Sequence, residues 1–186
     1  NISNYRSGLI KPYYERTNQV MVDSLPCGYI SDIENFDNKF FGVINREAVA
    51  MSPAQRLFLE TAYKAMEDAG YGGNSLNSSK TGVYVAYIAD LDNQQYQDIV
   101  KASDEPQTPT GALSSNISGR LSYYMDFRGP SLLVDSACSS SFTALNCACS
   151  AIRNNECVQA IVGGINLNLK PLTQYKIGIE SSSGHV

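Results

Sequence analysis

Apolar and polar positions change their rhythm several times along the chain, and each change marks an element. Ser52 and Pro53 form a helix start, Ser as cap and Pro at the first helical position. Leu57, Leu59, Ala62, Ala65, Met66 and Ala69 then recur on or near one face until Gly70, which predicts a helix. The run Thr81 to Ile88 is apolar and β-branched without helical period, and it predicts a buried strand. Leu113 to Met125 returns to a helical pattern and stops before the turn Arg128-Gly129-Pro130. Ser131 to Val134 reads as a short strand, Ser139 to Asn154 as a helix, and Val158 to Val162 as a strand closed by Gly163 and Gly164. Strands alternating with helices predict a layered α/β fold.

Outside these elements the pattern fades. The opening stretch to about Pro26 mixes aromatic and polar residues without period and reads as loop. Asp90 to Pro109 is polar, with a helical stretch expected around Gln94 to Ala102. The tail Ser181 to Val186 reads as the linker of an expression tag, so the domain is expected to occupy residues 1–180 and the tag residues 181–186. The only histidine, His185, falls in that tail.

Composition narrows the functional classes. At 186 residues and 43% hydrophobic, the chain can bury one sizeable core. Its net charge of −4, without a dense Lys/Arg cluster, argues against nucleic acid as a partner. No apolar run approaches the roughly 18 residues of a membrane span, and Asn1 to Arg16 lacks the layout of a secretion signal. A soluble, cytoplasmic protein without membrane contact is the expectation. The five cysteines are odd in number and four of them fall within residues 138–157, which suits reduced thiols. Cys147 and Cys149 invite a zinc reading, yet a Cys-x-Cys pair in a helix points its side chains about 200° apart, and no second pair completes a site. No metal is expected. Cys147, Cys149 and Cys157 read as core filler, the first two alongside Phe142, Ala144, Leu145, Ala148 and Ile152, and Cys27 has no role.

Cys138 is different, because it stands where an apolar strand runs straight into a helix. Such an elbow pushes one side chain out at the end of a sheet, and Ser136, Ala137, Ser139 and Ser140 leave room for a substrate. Unpaired N–H groups and the positive end of the following helix favour an anion there. A nucleophile whose own N–H helps bind an oxyanion is one reading, and a buried inert thiol is the other.

The stretch Val134-Asp-Ser-Ala-Cys-Ser-Ser-Ser141 closely resembles the nucleophile signature of modular polyketide synthase ketosynthases, with Ser136 where Thr is more usual. Phe36-Asp-Asn-Lys-Phe-Phe-Gly42, Arg46-Glu-Ala48 and Met51-Ser-Pro-Ala-Gln-Arg-Leu-Phe-Leu-Glu60 resemble two further family blocks. Gly119-Arg-Leu-Ser-Tyr123 with Arg128-Gly-Pro130 resembles the segment before the nucleophile. The likeness runs over about residues 28 to 180 in the family's order.

The resemblance implies a thiolase-like fold, layered α/β/α/β/α, of which this chain holds part of the amino-terminal half without its first strand. It also implies a homodimer in the intact domain and acyl carrier protein as partner. Substrates would arrive on the carrier's phosphopantetheine, with no cofactor bound by the domain itself. Cys138 would take the acyl chain, and decarboxylative Claisen condensation with a malonyl-type extender would follow. Asn116 resembles the position that reaches across the dimer toward the acyl pocket, or is an ordinary polar helix residue. The family's two histidines, including a His-Gly-Thr-Gly-Thr motif, are not in this sequence, so the chain alone is expected to be inactive in condensation. A non-elongating, acyl-holding or scaffold module is the alternative function. Val43-Ile-Asn45 and the polar stretch Asp90 to Pro109 are compatible with synthases that recruit acyltransferases in trans.

Overall fold

The computed structural model describes residues 30, 33, 35–73, 75–88, 111 and 113–167. The opening loop, Cys27, the segment Asp90 to Pro109 and the tail Ser181 to Val186 lie outside them.

Helix α1 (Asn45–Ala50) is followed by α2 (Pro53–Asp68). Ser52 caps α2 as its sequence requires, its Oγ accepting a hydrogen bond from the Gln55 N–H at 3.3 Å. The buried stripe of α2 is Ala54, Phe58, Leu59, Ala62 and Met66. Leu57 is only half-buried, while Ala65 and Ala69 face solvent, so the apolar face is rotated from the one expected. Gly70 ends the helix with a φ of +84°, a left-handed conformation that glycine adopts without strain.

Strand β1 (Thr81–Ala86) lies between β2 (Ser131–Val134) and β3 (Gln159–Gly164) in an all-parallel sheet of order β2-β1-β3. Ala86 pairs with Val134 on one side and Gly164 on the other, so the three strands end level. Helix α3 (Asn116–Tyr124) connects β1 to β2, and α4 (Ser140–Arg153) connects β2 to β3. The second crossover reverses direction along the sheet, and right-handed connections then require the two helices on opposite faces. Val83 and Val85 accordingly pack with α2 and α3, through Phe58, Leu59, Ile117, Leu121 and Met125. Tyr84 and Ala86 point the other way, to Ala144, Ala148 and Ala151 of α4.

Both faces of β1 are buried, as its uniform apolar run predicts. Strand β3 is only half-buried, because among the described residues it is an edge and α4 covers it with alanines. Phe142, Leu145 and Ile152, read as core from sequence, are exposed on the outer side of α4.

A polar spine ties the α2 side together. The buried Gln55 amide donates to the carbonyls of Gly111 and Leu113, both at 3.1 Å, and accepts from Arg120 Nε at 2.8 Å. Arg120 also pairs with Glu47 of α1 at 2.7 Å. This one amide thus joins α2, α3 and the chain entering α3, and a buried amide needs partners of this kind.

Candidate active site

The helices that follow β1 and β2 in the chain, α3 and α4, pack on opposite faces of the sheet, so the carboxyl ends of these adjacent strands form its topological switch point. Open α/β sheets bind ligands in the crevice at such a point. Cys138 stands there, four residues beyond the last residue of β2, and it is exposed.

The elbow differs in detail from the expected strand-to-helix junction. Ala137–Ser139 is a 3₁₀ turn, and the α-helix begins only at Ser140, so Cys138 precedes it by two residues. Ala137 has a φ of +55°, a left-handed conformation that costs an L-residue roughly 1–2 kcal/mol. Nothing in an Ala-Cys dipeptide announces it, since Gly or Asn is the usual occupant.

Side chains around the thiol hold this conformation. The Ala137 N–H donates to Asp135 Oδ1 at 3.1 Å. The buried Ser140 Oγ donates to the Ala137 carbonyl at 2.7 Å and accepts from the Ser136 N–H at 2.9 Å. Ser139 Oγ donates to the Ser136 carbonyl at 2.7 Å, and the Ser136 and Thr143 hydroxyls share a 2.8 Å bond. The small polar residues read from sequence as empty space therefore form a hydrogen-bonded cradle. At the other rim, a Cβ on Gly164 would lie 3.0 Å from Ser141 Oγ, so α4 approaches β3 closely there.

The other described cysteines are set apart from this rim. Cys157 is buried and Cys147 half-buried, and both adjoin Tyr84 under α4. Cys149 is half-buried, less enclosed than expected of core filler. Burial, then the charges of Cys157 and Glu156, push the Tyr84 hydroxyl up to about 12. Among the described residues no three His, Cys, Asp or Glu side chains gather into a metal site.

Asn116 begins α3 and lines an open pocket of about 430 Å³ with Phe41, Glu47, Arg120, Tyr123 and Tyr124. Because α3 returns antiparallel to the strands, Asn116 lies toward the same end of the sheet as Cys138, but on the opposite face. Cys138 does not line that pocket, so the structure does not join the two into one site.

Residues 7–178 match the family model for the beta-ketoacyl synthase amino-terminal domain. The chain belongs to the beta-ketoacyl synthase family. Its relatives are polyketide synthases. It is 45% identical over 145 residues to a non-reducing polyketide synthase of Stereocaulon alpinum, a match covering 75% of this chain and 6% of the relative. It is 39% identical over 153 residues to a phenolphthiocerol/phthiocerol polyketide synthase subunit of Mycobacterium tuberculosis H37Rv, covering 81% and 10%. The ketosynthase from module 6 of the bacillaene synthase of Bacillus subtilis superposes with a TM-score of 0.70 at 34% identity, over 84% of this chain and 27% of that one. A Streptomyces albus oxazolomycin ketosynthase domain gives 0.68 at 34% identity, over 81% and 26%. The chain thus spans a tenth or less of these curated relatives and about a quarter of the solved ketosynthases. It is part of a polyketide synthase ketosynthase with a thiolase-like fold, in an acyl-transferring enzyme family. Among the described residues no helix is long and apolar enough to cross a membrane.

Proposed function

We propose that Cys138 is the nucleophile through which this ketosynthase takes up an acyl chain. The observation that carries the reading is an exposed thiol at the carboxyl end of a parallel sheet, on a turn whose backbone is held by four hydrogen-bonding side chains, Asp135, Ser139, Ser140 and Thr143.

The sulfur attacks the carbonyl of a thioester on a carrier protein's phosphopantetheine arm, forming a carbon–sulfur bond and a tetrahedral oxyanion. Collapse breaks the original carbon–sulfur bond and releases the pantetheine thiolate, which takes up the proton given up by Cys138. Within the 3₁₀ turn the Ala137 and Ser139 N–H groups are already donated, to Asp135 Oδ1 and the Ser136 carbonyl, so the N–H of Cys138 itself is the one suited to the oxyanion. In the intact homodimeric synthase, a malonyl-type extender then loses carbon dioxide and its carbanion displaces Cys138 from the acyl group. Asn116 faces the acyl chain from the partner in that assembly.

An acyl-pantetheine thioester should add one acyl group to the chain, seen as a mass increase of the intact protein, and Cys138→Ala should abolish it. With malonyl carrier protein present, no β-keto product should accumulate, since condensation calls for histidine donors. Acylation that persists in Cys138→Ala would overturn the assignment.

A further inference from the structure

Ala137 is the residue immediately before the nucleophile, and it occupies a conformation that alanine disfavours. Something must hold it there. One buried side chain bridges the backbone on both sides of this residue: Ser140 Oγ donates to the Ala137 carbonyl, in the peptide group that follows the strained torsions, and accepts the N–H of Ser136, the residue before them. Ser140 is 5% exposed, so water does not readily replace either bond. Asp135, which holds the Ala137 N–H, is by contrast exposed and open to competition from solvent.

We propose that Ser140 is a positioning residue for Cys138, clamping Ala137 in its left-handed conformation so that the sulfur is presented to the crevice. The inference rests on the reading of Cys138 as the nucleophile. Ser140 itself touches no substrate. The rotation of the Ala137 peptide sets where Cys138 begins, so releasing the clamp lets Ala137 relax to negative φ and swings the thiol off the crevice. The cradle of Ser136, Ser139 and Thr143 then loses the turn around which it is built.

The test is the rate of Cys138 alkylation by iodoacetamide, mapped by peptide, in the whole chain and in Ser140→Ala, Ser140→Thr, Ala137→Gly and the Ala137→Gly/Ser140→Ala double variant. Ser140→Ala should slow labelling roughly tenfold, the loss expected when a strained left-handed residue is released. Ser140→Thr, which keeps the hydroxyl, should restore most of the rate. Glycine adopts positive φ without strain, so Ser140→Ala should cost clearly less in the Ala137→Gly background, a non-additivity that a purely structural role would not produce. Equal loss in both backgrounds, or wild-type labelling in Ser140→Ala, would overturn the proposal. Failure of both Ser140→Ala variants to fold by circular dichroism would also overturn it, by assigning Ser140 to the fold alone. Alkylation does not depend on acyl chemistry. Fast labelling of Cys138 without acylation by thioester would therefore sink the proposed function and leave the clamp standing.

Discussion

On one face of the sheet Phe58, Leu59, Ile117, Leu121 and Met125 interlock over Val83 and Val85, while on the other α4 meets Tyr84 and Ala86 through Ala144, Ala148 and Ala151. The first is an ordinary core of large side chains, whose burial supplies most of the driving force for folding. Methyl groups on the second bury little, but they let α4 settle close on the strands, to the point where Gly164 admits no Cβ without crowding Ser141. The large apolar residues of α4 are on its other side, Phe142, Leu145 and Ile152. A helix with small residues toward one layer and large ones outward is built to lie between two layers, as the thiolase-like fold has it. One face holds the sheet together, and the other sets the height of the helix that follows the nucleophile turn.

The largest effect should come from cutting into the first face. Leu121 is fully buried between α3 and the sheet, and Leu121→Ala should cost about 3 kcal/mol or more, transfer and cavity terms together. Denaturant unfolding would measure it. A loss under 1 kcal/mol would mean that this face is loosely packed and that the contrast between the two faces is false.

Much of this division is legible in the sequence, and the exceptions have physical causes. The cap Ser52-Pro53, the strand Ser131–Val134 and the elbow at Cys138 stand in their local residues. Helix α1 was not expected, because six residues with Asn, Arg and Glu among them carry too little period to be read. The facing of α4 was misread because apolarity alone was taken to mean core, whereas its inner face needs small residues for close approach. Ala137 and Ser140 read from sequence only as small residues that leave room, for another reason. A left-handed alanine has no sequence signature, and a clamp from a side chain three residues on shows only once the turn is folded.

A smaller effect distinguishes the second face by pH. The Tyr84 hydroxyl is buried under α4, and this environment raises it from 10.0 to about 12. In the unfolded chain it ionises near its ordinary value, so the unfolded state releases a proton first. Stability from this group is therefore fully present below about pH 10 and is lost as the pH rises through about 12, by an amount on the order of 2 kcal/mol. Tyr84→Phe should remove this alkaline step while leaving the neutral-pH melting profile cooperative. An unchanged alkaline profile in Tyr84→Phe would show that ionisation of this buried hydroxyl does not govern the step.

The smallest effect on stability should come from the outer side of α4, and its smallness is what makes it informative. Phe142 is 79% exposed and Leu145 48%, so neither contributes much to the described core. Phe142→Ser/Leu145→Ser should leave thermal stability within about 0.5 kcal/mol per site, as for surface positions generally. What should change is the surface. Phe142, Leu145 and Ile152 recur at helical spacing and form an apolar stripe beside the nucleophile turn, and exposed stripes of this kind promote association. Light scattering over a concentration series, with a hydrophobic dye as a second probe, should show less self-association and weaker dye binding in the double variant than in the parent chain. A drop of 2 kcal/mol or more with unchanged scattering would mean that these side chains pack within the chain. The helix would then have its main support on the outer side, and the close seating on alanines would no longer account for the position of Cys138.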